Sequence, residues 1–210
     1  MRRSIIAIAL AATAAVALPV IAQQSAPMTA PGARDASRIT GGTYKVDPGH
    51  TLVQWTVDHL GFTPYFGIFG DVTGTLVLDP KNPAAAKVDV TIPVAKVTTA
   101  SAGLTKHLLS KDFFGDMPAD ARFVSTSVTL DDDGDEAKIA GNLTLNGVTK
   151  PVTLDAEFYG AGKMPAQMGG KENVGFEAEA TIRRSDFGIN YGLPMVSDTV
   201  KLEIVAAFEK

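Results

Sequence analysis

"KIAGNLTLNGVTKPVTLDAEF", residues 138–158, alternates apolar and polar side chains on both sides of an Asn-Gly pair. Strict alternation puts every second side chain on the same face of a β-strand, so each half predicts a strand with one apolar face. Asn146 and Gly147 tolerate the positive φ angles that a two-residue hairpin turn requires. The stretch therefore predicts an antiparallel hairpin, whose apolar face carries Ile139, Gly141, Leu143, Leu145, Val152, Leu154, Ala156 and Phe158.

The same alternation recurs along the chain and gives about eight strands. The alternation is clear at 71–78 and 123–130, whereas residues 51–61 carry apolar side chains on both faces. Residues 131–136 predict a second tight turn. Three further segments have complete apolar rows: Val88, Val90, Ile92 and Val94; Val174, Phe176, Ala178, Ala180 and Ile182; Val200, Leu202, Ile204, Ala206 and Phe208.

Serial hairpins predict an all-β fold with an antiparallel meander. Eight strands with one apolar face each can close into a barrel, which removes their exposed edges. A β-sandwich is the competing architecture. Gly67, Gly70 and Gly74 favour the barrel, because glycines within a strand permit the sharp bend that a barrel corner needs.

One long stretch between the strands does not alternate. Leu104, His107 and Leu108 follow helical spacing, and Pro118 ends the pattern, so residues 101–118 predict a short helical cap or lid over the barrel mouth. Phe113 and Phe114 are adjacent and would lie about 100° apart on a helix. We expect one of them to face the core and the other the interior tunnel, with His107 in a structural or ligand-contacting role.

The N-terminus predicts export. Residues 1–22 contain Arg2 and Arg3, then an apolar run and a small-residue cleavage site, which is the pattern of a secretory signal peptide. Twin-arginine export is the alternative route, but the residues after the arginine pair match that signal poorly. Residues 23–42 are rich in Ala, Pro, Ser and Gly and predict a disordered linker, so the folded domain is expected at 43–210.

Charge and cysteine content exclude several classes of protein. The chain has 23 acidic and 19 basic residues, and loss of Arg2 and Arg3 with the leader gives a formal charge of −6. No basic stripe is present, so nucleic acid is not an expected partner. The chain has no cysteine, which excludes disulfides, thiol catalysis, thiolate metal sites and a lipobox anchor.

No metal, cofactor or catalytic site is predicted. His50 and His59 are nine residues apart and would face opposite sides of a regular strand, and neither belongs to a helical pair of metal ligands. No Gly-x-Ser-x-Gly nucleophile elbow and no phosphate-binding glycine loop occur. An exported enzyme acting on a hydrophobic substrate inside the barrel remains the alternative function, and an empty barrel that serves as an interaction partner is a third.

Five segments, 44–61, 106–114, 121–130, 141–154 and 184–189, resemble in order those of the YceI-like polyisoprenoid-binding proteins. The resemblance implies a lipocalin-like eight-stranded barrel in the periplasm that holds a long isoprenoid or similar amphiphile, polyprenyl or quinone-like, in an apolar tunnel. It also implies a homodimer, and no catalytic residues carry over. The chain has Leu109 where members of the family often place a basic residue.

The sequence therefore predicts a periplasmic lipid carrier or sequestering protein, with transient contact to the membrane or to membrane redox proteins. Trp55 is either a core anchor or part of the tunnel. Arg184 either forms a surface ion pair with Asp186 or meets a polar head, and Phe187 either plugs a barrel end or lines the mouth. The predicted ligand-binding residues are Trp55, Phe66, Phe69, His107, Leu108, Phe113, Phe114, Phe123, Phe176, Arg184, Phe187 and Tyr191.

Overall fold

The computed structural model describes residues 29–132 and 134–210, so the predicted signal peptide 1–22 lies outside the described residues. A single α-helix is found in these ranges, α1 (Ala102–Leu108). None of the helices in them is long and apolar enough to cross a membrane. The strands are β1 (Gly32–Ala33), β2 (Gly42–Val46), β3 (Leu52–His59), β4 (Thr63–Phe69), β5 (Thr73–Leu78), β6 (Lys87–Ile92), β7 (Val97–Thr98), β8 (Ala121–Leu130), β9 (Glu136–Leu145), β10 (Val148–Lys163), β11 (Glu172–Arg183) and β12 (Thr199–Glu209).

These strands form a closed, eight-stranded antiparallel barrel. Strands β2 and β3 together make one bent barrel strand, and β4 and β5 together make the next. The other six barrel strands are β6, β8, β9, β10, β11 and β12. Strand β12 closes the ring by pairing with β2 at Phe208↔Val46 and with β3 at Leu202↔Trp55. The predicted eight-stranded barrel with a short helical cap is confirmed.

The Asn-Gly hairpin and the apolar rows are also confirmed. Leu145 pairs with Val148 across a turn in which Asn146 and Gly147 have φ angles of 50° and 75°. The apolar rows of β6, β9, β10, β11 and β12 face the barrel interior. Strict alternation at 123–130 is wrong, since a register shift between Ser125 and Ser127 makes a bulge, after which the even-numbered side chains face inward.

Two of the three predicted strand glycines are required by close packing. A Cβ on Gly67 would overlap Cζ2 of Trp55, so the indole packs directly against the β4 backbone. Gly74 has a φ of 133°, and its Cβ would lie within clashing distance of the Asp89 carbonyl oxygen on β6. Both glycines lie in the bent barrel strand that β4 and β5 form. Gly70, in contrast, has room for a side chain.

The predicted disordered linker is wrong for residues 32–42, while 23–28 lie outside the described residues. Strand β1 pairs with β10, and the Asp35 side chain caps the short 3₁₀ helix at Ala36–Arg38 by accepting a hydrogen bond from Ser37 N–H. Ile39 is buried in the barrel core. The composition of this segment suggests disorder, but its apolar anchor and its pairing with β10 hold it on the barrel.

Candidate ligand-binding cavities

Two apolar cavities occupy the interior of the barrel. The N-terminal cavity has a volume of about 330 Å³ and lies beside the segment that carries Arg34 and Ile39. The cap cavity has a volume of about 370 Å³ and lies beneath α1 and the residues that follow it. Each falls within the range of roughly 300–1,000 Å³ that small-molecule sites occupy.

Four side chains line both cavities and mark the boundary between them. They are Val53 on β3, Ile92 on β6, Leu143 on β9 and Leu202 on β12. The four strands are distributed around the ring, so this boundary is an apolar waist across the barrel. A long, slender ligand that used both cavities would pass between these side chains.

The N-terminal cavity contains a row of three aromatic rings that meet at an angle. The Phe158 and Phe176 ring centroids are 5.9 Å apart, and those of Phe176 and Phe208 are 6.3 Å apart. Phe123 also lines this cavity and is buried, with its ring lying where a side chain on Gly141 would otherwise project. The structure thus places the predicted residues Phe123 and Phe176 on the cavity wall.

The cap brings Leu108, Phe113 and Phe114 onto the cap cavity, together with Phe69 from β4. Both phenylalanines of the cap line it, so the expectation that one faces the core and the other the tunnel is wrong. They lie beyond the end of α1, in a turn closed by the Phe114 N–H donating to the Leu108 carbonyl, so helical spacing does not apply to them. Phe114 meets Phe69 edge to face at 6.0 Å.

A three-ring cluster lies at the mouth of the cap cavity. The His107 ring centroid lies 5.1 Å from that of Phe113 and 5.1 Å from that of Tyr191, and Phe113 and Tyr191 are 5.2 Å apart. The Nε2 atom of His107 lies 2.8 Å from a carboxylate oxygen of Asp112. This cluster fastens the cap to the loop that contains Tyr191.

Arg184 does not form the predicted surface ion pair with Asp186. Its predicted surface partner Asp186 is exposed, whereas Arg184 is 5% exposed and donates to the carbonyls of Ile189, Tyr191, Val196 and Ser197 at 2.8–3.0 Å. Burial lowers the pKa of Arg184 from its usual range. Arg184 lies on the wall of the cap cavity, and four of its five guanidinium N–H groups hold the 188–198 loop in place.

Phe66 and Phe187 lie outside both cavities. Phe66 is 57% exposed, because the alternation of β4 turns Tyr65, Gly67 and Phe69 inward and leaves Phe66 on the outer surface. Phe187 is buried in the core at the barrel end, as its interpretation as a plug predicted. The prediction that these two residues line the tunnel or its mouth is therefore corrected.

The sequence did not single out the waist residues or two polar residues on the cap cavity as ligand-binding residues. Ile92, Leu143 and Leu202 belong to predicted apolar rows, so alternation alone could have identified them as lining residues. His59 and Tyr65 also line the cap cavity, although nothing in the sequence distinguishes them.

The three histidines do not converge. His50 Nδ1 pairs with Asp47 at 2.7 Å, and His107 pairs with Asp112, while His59 lies at the end of β3. Within residues 29–132 and 134–210, no group of three or more His, Asp or Glu side chains is arranged to hold a metal ion.

The family model and the similar proteins found by comparison all point to one family. The sequence model of the YceI-like domain matches residues 44–208. Protein YceI of Escherichia coli O157:H7 is 46% identical over 172 residues, which are 80% of this chain and 87% of that protein. The crystal structure of the Campylobacter jejuni YCEI protein is 32% identical, with a TM-score of 0.63, and covers 73% of this chain and 89% of its own.

A polyisoprenoid binding domain from Saccharophagus degradans, implicated in plant cell wall breakdown, has the same fold. It aligns with a TM-score of 0.58 over 79% of this chain and 97% of its own, at 14% identity. The resemblance drawn from the sequence segments is confirmed by the family match and by the 46% identical relative.

Proposed function

Because the chain belongs to the YceI-like domain family, we propose that it binds one long isoprenoid or similar amphiphilic lipid inside the barrel. The observation that carries the proposal is the pair of apolar cavities, which meet at the waist of Val53, Ile92, Leu143 and Leu202. The name of the Saccharophagus degradans domain, which shares this fold, supports the choice of an isoprenoid.

Burial of the hydrocarbon supplies the driving force. Each methylene-sized group removed from water contributes ~0.8 kcal/mol, so a few isoprene units provide ample gross affinity. Ordering a flexible chain offsets part of this gain. Affinity should therefore depend on chain length and on the shape of the waist more than on surface charge.

Binding without catalysis is the function the geometry supports best. An enzyme would need polar groups that converge on a substrate inside the barrel, yet His107 and Asp112 are paired with each other at the mouth. The Ser110 hydroxyl donates to the His107 backbone carbonyl at 2.7 Å, and not to the imidazole. The geometry therefore favours a structural role for this pair.

We propose that the protein acts in the periplasm, as a carrier or sequestering protein that touches the membrane or a membrane redox protein transiently. Exposed apolar side chains beside the cap cavity support such contact. Leu60 and Phe62 lie in the turn after β3, and Leu60 N–H donates to the carbonyl of Met195, whose side chain is also exposed.

We also propose a homodimer, as the family resemblance implies. Light scattering that shows a monomer at high concentration would contradict this proposal.

The test is to express the full chain in a Gram-negative host, purify it from the periplasmic fraction and analyse it by native mass spectrometry with lipid extraction. We expect one long-chain lipid per barrel. Protein that stays in the cytoplasm would refute the proposed location. Protein that arrives empty and takes up no isoprenoid probe would refute the proposed ligand.

A further inference from the structure

Residues 32–41 form a strap at the end of the barrel that holds the N-terminal cavity. They precede the part of the chain that matches the family model, residues 44–208. Ile39 is nevertheless 6% exposed and belongs to the core, and it lines the cavity together with Arg34 and Ala36. The strap therefore adds a wall to the proposed ligand site that lies outside the matched family domain.

The strap lies opposite the waist. Strand β1 pairs with β10 near the last residues of that strand, at Gly32↔Gly162, and the strap leads into β2 at Gly42. The connections from β5 to β6 and from β8 to β9 also line the N-terminal cavity, through Pro80 and Asp135. Connections between neighbouring antiparallel strands lie at the ends of a barrel, so the strap and these connections form its end wall.

Specific contacts hold the strap at both of its ends. Its backbone approaches β10 so closely that a Cβ on Gly162 would overlap the carbonyl oxygen of Pro31. At the other end, the Thr40 N–H donates to the Glu172 carboxylate at 3.0 Å, and Lys210 Nζ donates to the Thr40 hydroxyl at 2.8 Å. The strap is thus a fixed part of the cavity wall.

The charges at this end suit the hydrocarbon end of a ligand. Arg34 pairs with Asp135 at 3.2 Å and with Glu157 at 2.6 Å. Glu136 places a further carboxylate on the cavity wall, so the acidic side chains outnumber the basic one among the described residues that line it. An anionic head would be repelled here, whereas Ile39 offers an apolar surface to a chain terminus.

We propose that the strap determines the longest isoprenoid chain that the barrel accepts. The last isoprene unit packs against Ile39, and the polar head lies on the cap side of the waist. This inference rests on the proposed function and adds to it the orientation of the ligand and a limit on its length. A longer chain must displace the strap or leave hydrocarbon in water, and both reduce affinity.

The test measures the affinity of delipidated protein for a series of prenyl alcohols from farnesol to undecaprenol. Affinity for the wild-type protein should rise with each added isoprene unit up to one length and fall beyond it. Ile39→Ala enlarges the cavity, so the first alcohol beyond that limit should bind this variant about 10-fold more tightly than the wild type. Val174→Ala is the matched control and should keep the wild-type limit, because Val174 is buried in the same core and lines neither cavity.

Deletion of residues 23–41 from the full chain removes the strap and keeps the predicted signal peptide and the matched domain. Affinity for this variant should keep rising past the wild-type limit, because the end wall is open. If far-UV circular dichroism shows that the deletion variant folds poorly, the comparison of Ile39→Ala with Val174→Ala decides the test.

Paramagnetic broadening tests the orientation of the ligand. A nitroxide on the head of a bound prenyl chain should broaden the resonances of Tyr191, at the mouth of the cap cavity, more than those of the Ile39 methyl groups. The reverse order would overturn the proposed orientation.

The results also separate this inference from the proposed function. The same limit for the wild type and Ile39→Ala, or no limit in the wild type, would overturn the role of the strap and leave lipid binding intact. An equal shift in Val174→Ala would overturn it as well, since general loosening of the core would then be the cause. Failure of the wild-type protein to bind any of the alcohols would refute the proposed function itself.

Discussion

The imidazole of His107 lies edge-on to the phenol ring of Tyr191, with 5.1 Å between ring centroids and 82° between ring planes. His107 belongs to α1 and Tyr191 to the loop that Arg184 holds, so this contact joins two independently supported elements across the mouth of the cap cavity. Edge-to-face pairs of this kind contribute about 0.5–1.5 kcal/mol beyond area burial. The contact can therefore control access to the cavity without determining the stability of the whole barrel.

Tyr191→Ala should accelerate ligand release. The substitution removes the contacts of Tyr191 with both His107 and Phe113, and the loss of two such pairs corresponds to dissociation that is roughly 5- to 150-fold faster. Tyr191→Phe keeps the ring and serves as the matched control, with a rate near that of the wild type. The measurement is the dissociation of a preloaded lipid to acceptor vesicles. Equal rates for all three proteins would mean that the mouth does not limit release.

Phe176→Gln should abolish lipid retention, because it places an amide in the aromatic row of the N-terminal cavity. Phe66→Gln makes the same chemical change on the outer surface and should leave retention unchanged. His107→Ala should weaken retention only modestly. Copurified lipid per folded protein is measured, with far-UV circular dichroism as the check on folding. A barrel emptied by His107→Ala but full with Phe176→Gln would show that contacts at the mouth dominate.

Gly67→Ala should destabilise the fold by about 1–3 kcal/mol, since the new methyl group would overlap the Trp55 ring and force it to move. Gly70→Ala is the matched control three residues away. Its Cβ would meet only Leu52, at 3.9 Å, and its unfolding midpoint should stay close to that of the wild type. Chemical denaturation measures both. Equal midpoints would show that the indole adjusts freely.

Arg184→Lys should cost about 2–4 kcal/mol of stability, because an ammonium group cannot reproduce a planar guanidinium that donates to four carbonyls. The neighbouring Arg183→Lys is the control. Arg183 is exposed and pairs with Asp198, so its replacement should change stability by less than about 1 kcal/mol. Thermal unfolding distinguishes the two variants, and an Arg184→Lys variant as stable as the Arg183→Lys control would contradict this role.

Acid should destabilise the protein through Glu172. Its carboxylate accepts from the Thr40 N–H, and also from the Tyr44 hydroxyl with Lys210 nearby, which lowers the Glu172 pKa from 4.5 to about 2. A lowered folded-state pKa means that the stabilisation is complete above pH 4.5 and is lost as pH falls toward 2. Glu172→Gln should flatten stability across this window and lower it at neutral pH, which denaturation at a series of pH values measures. A Glu172→Gln variant that keeps the wild-type slope would assign the acid sensitivity elsewhere.

The sequence was sufficient for the features that depend on a period of two residues. In β11 and β12, each second side chain from Val174 and Val200 onward faces the interior, because successive side chains of a strand point to opposite faces. The Asn146–Gly147 turn was equally readable, since only a few residue types accept two consecutive positive φ angles. The fold class, the hairpin and most of the apolar lining followed from such local rules.

The remaining features depend on contacts between segments distant in the chain, which no local period encodes. Arg184 is buried because the 188–198 loop folds back and presents four carbonyls to it. Residues 32–42 are ordered because β10 offers them a partner and the core accepts Ile39. Trp55 is buried because barrel closure brings Leu202 and Gly67 beside it. Each outcome depends on how the ring of strands closes and on where loop backbones lie, and those are properties of the assembled barrel.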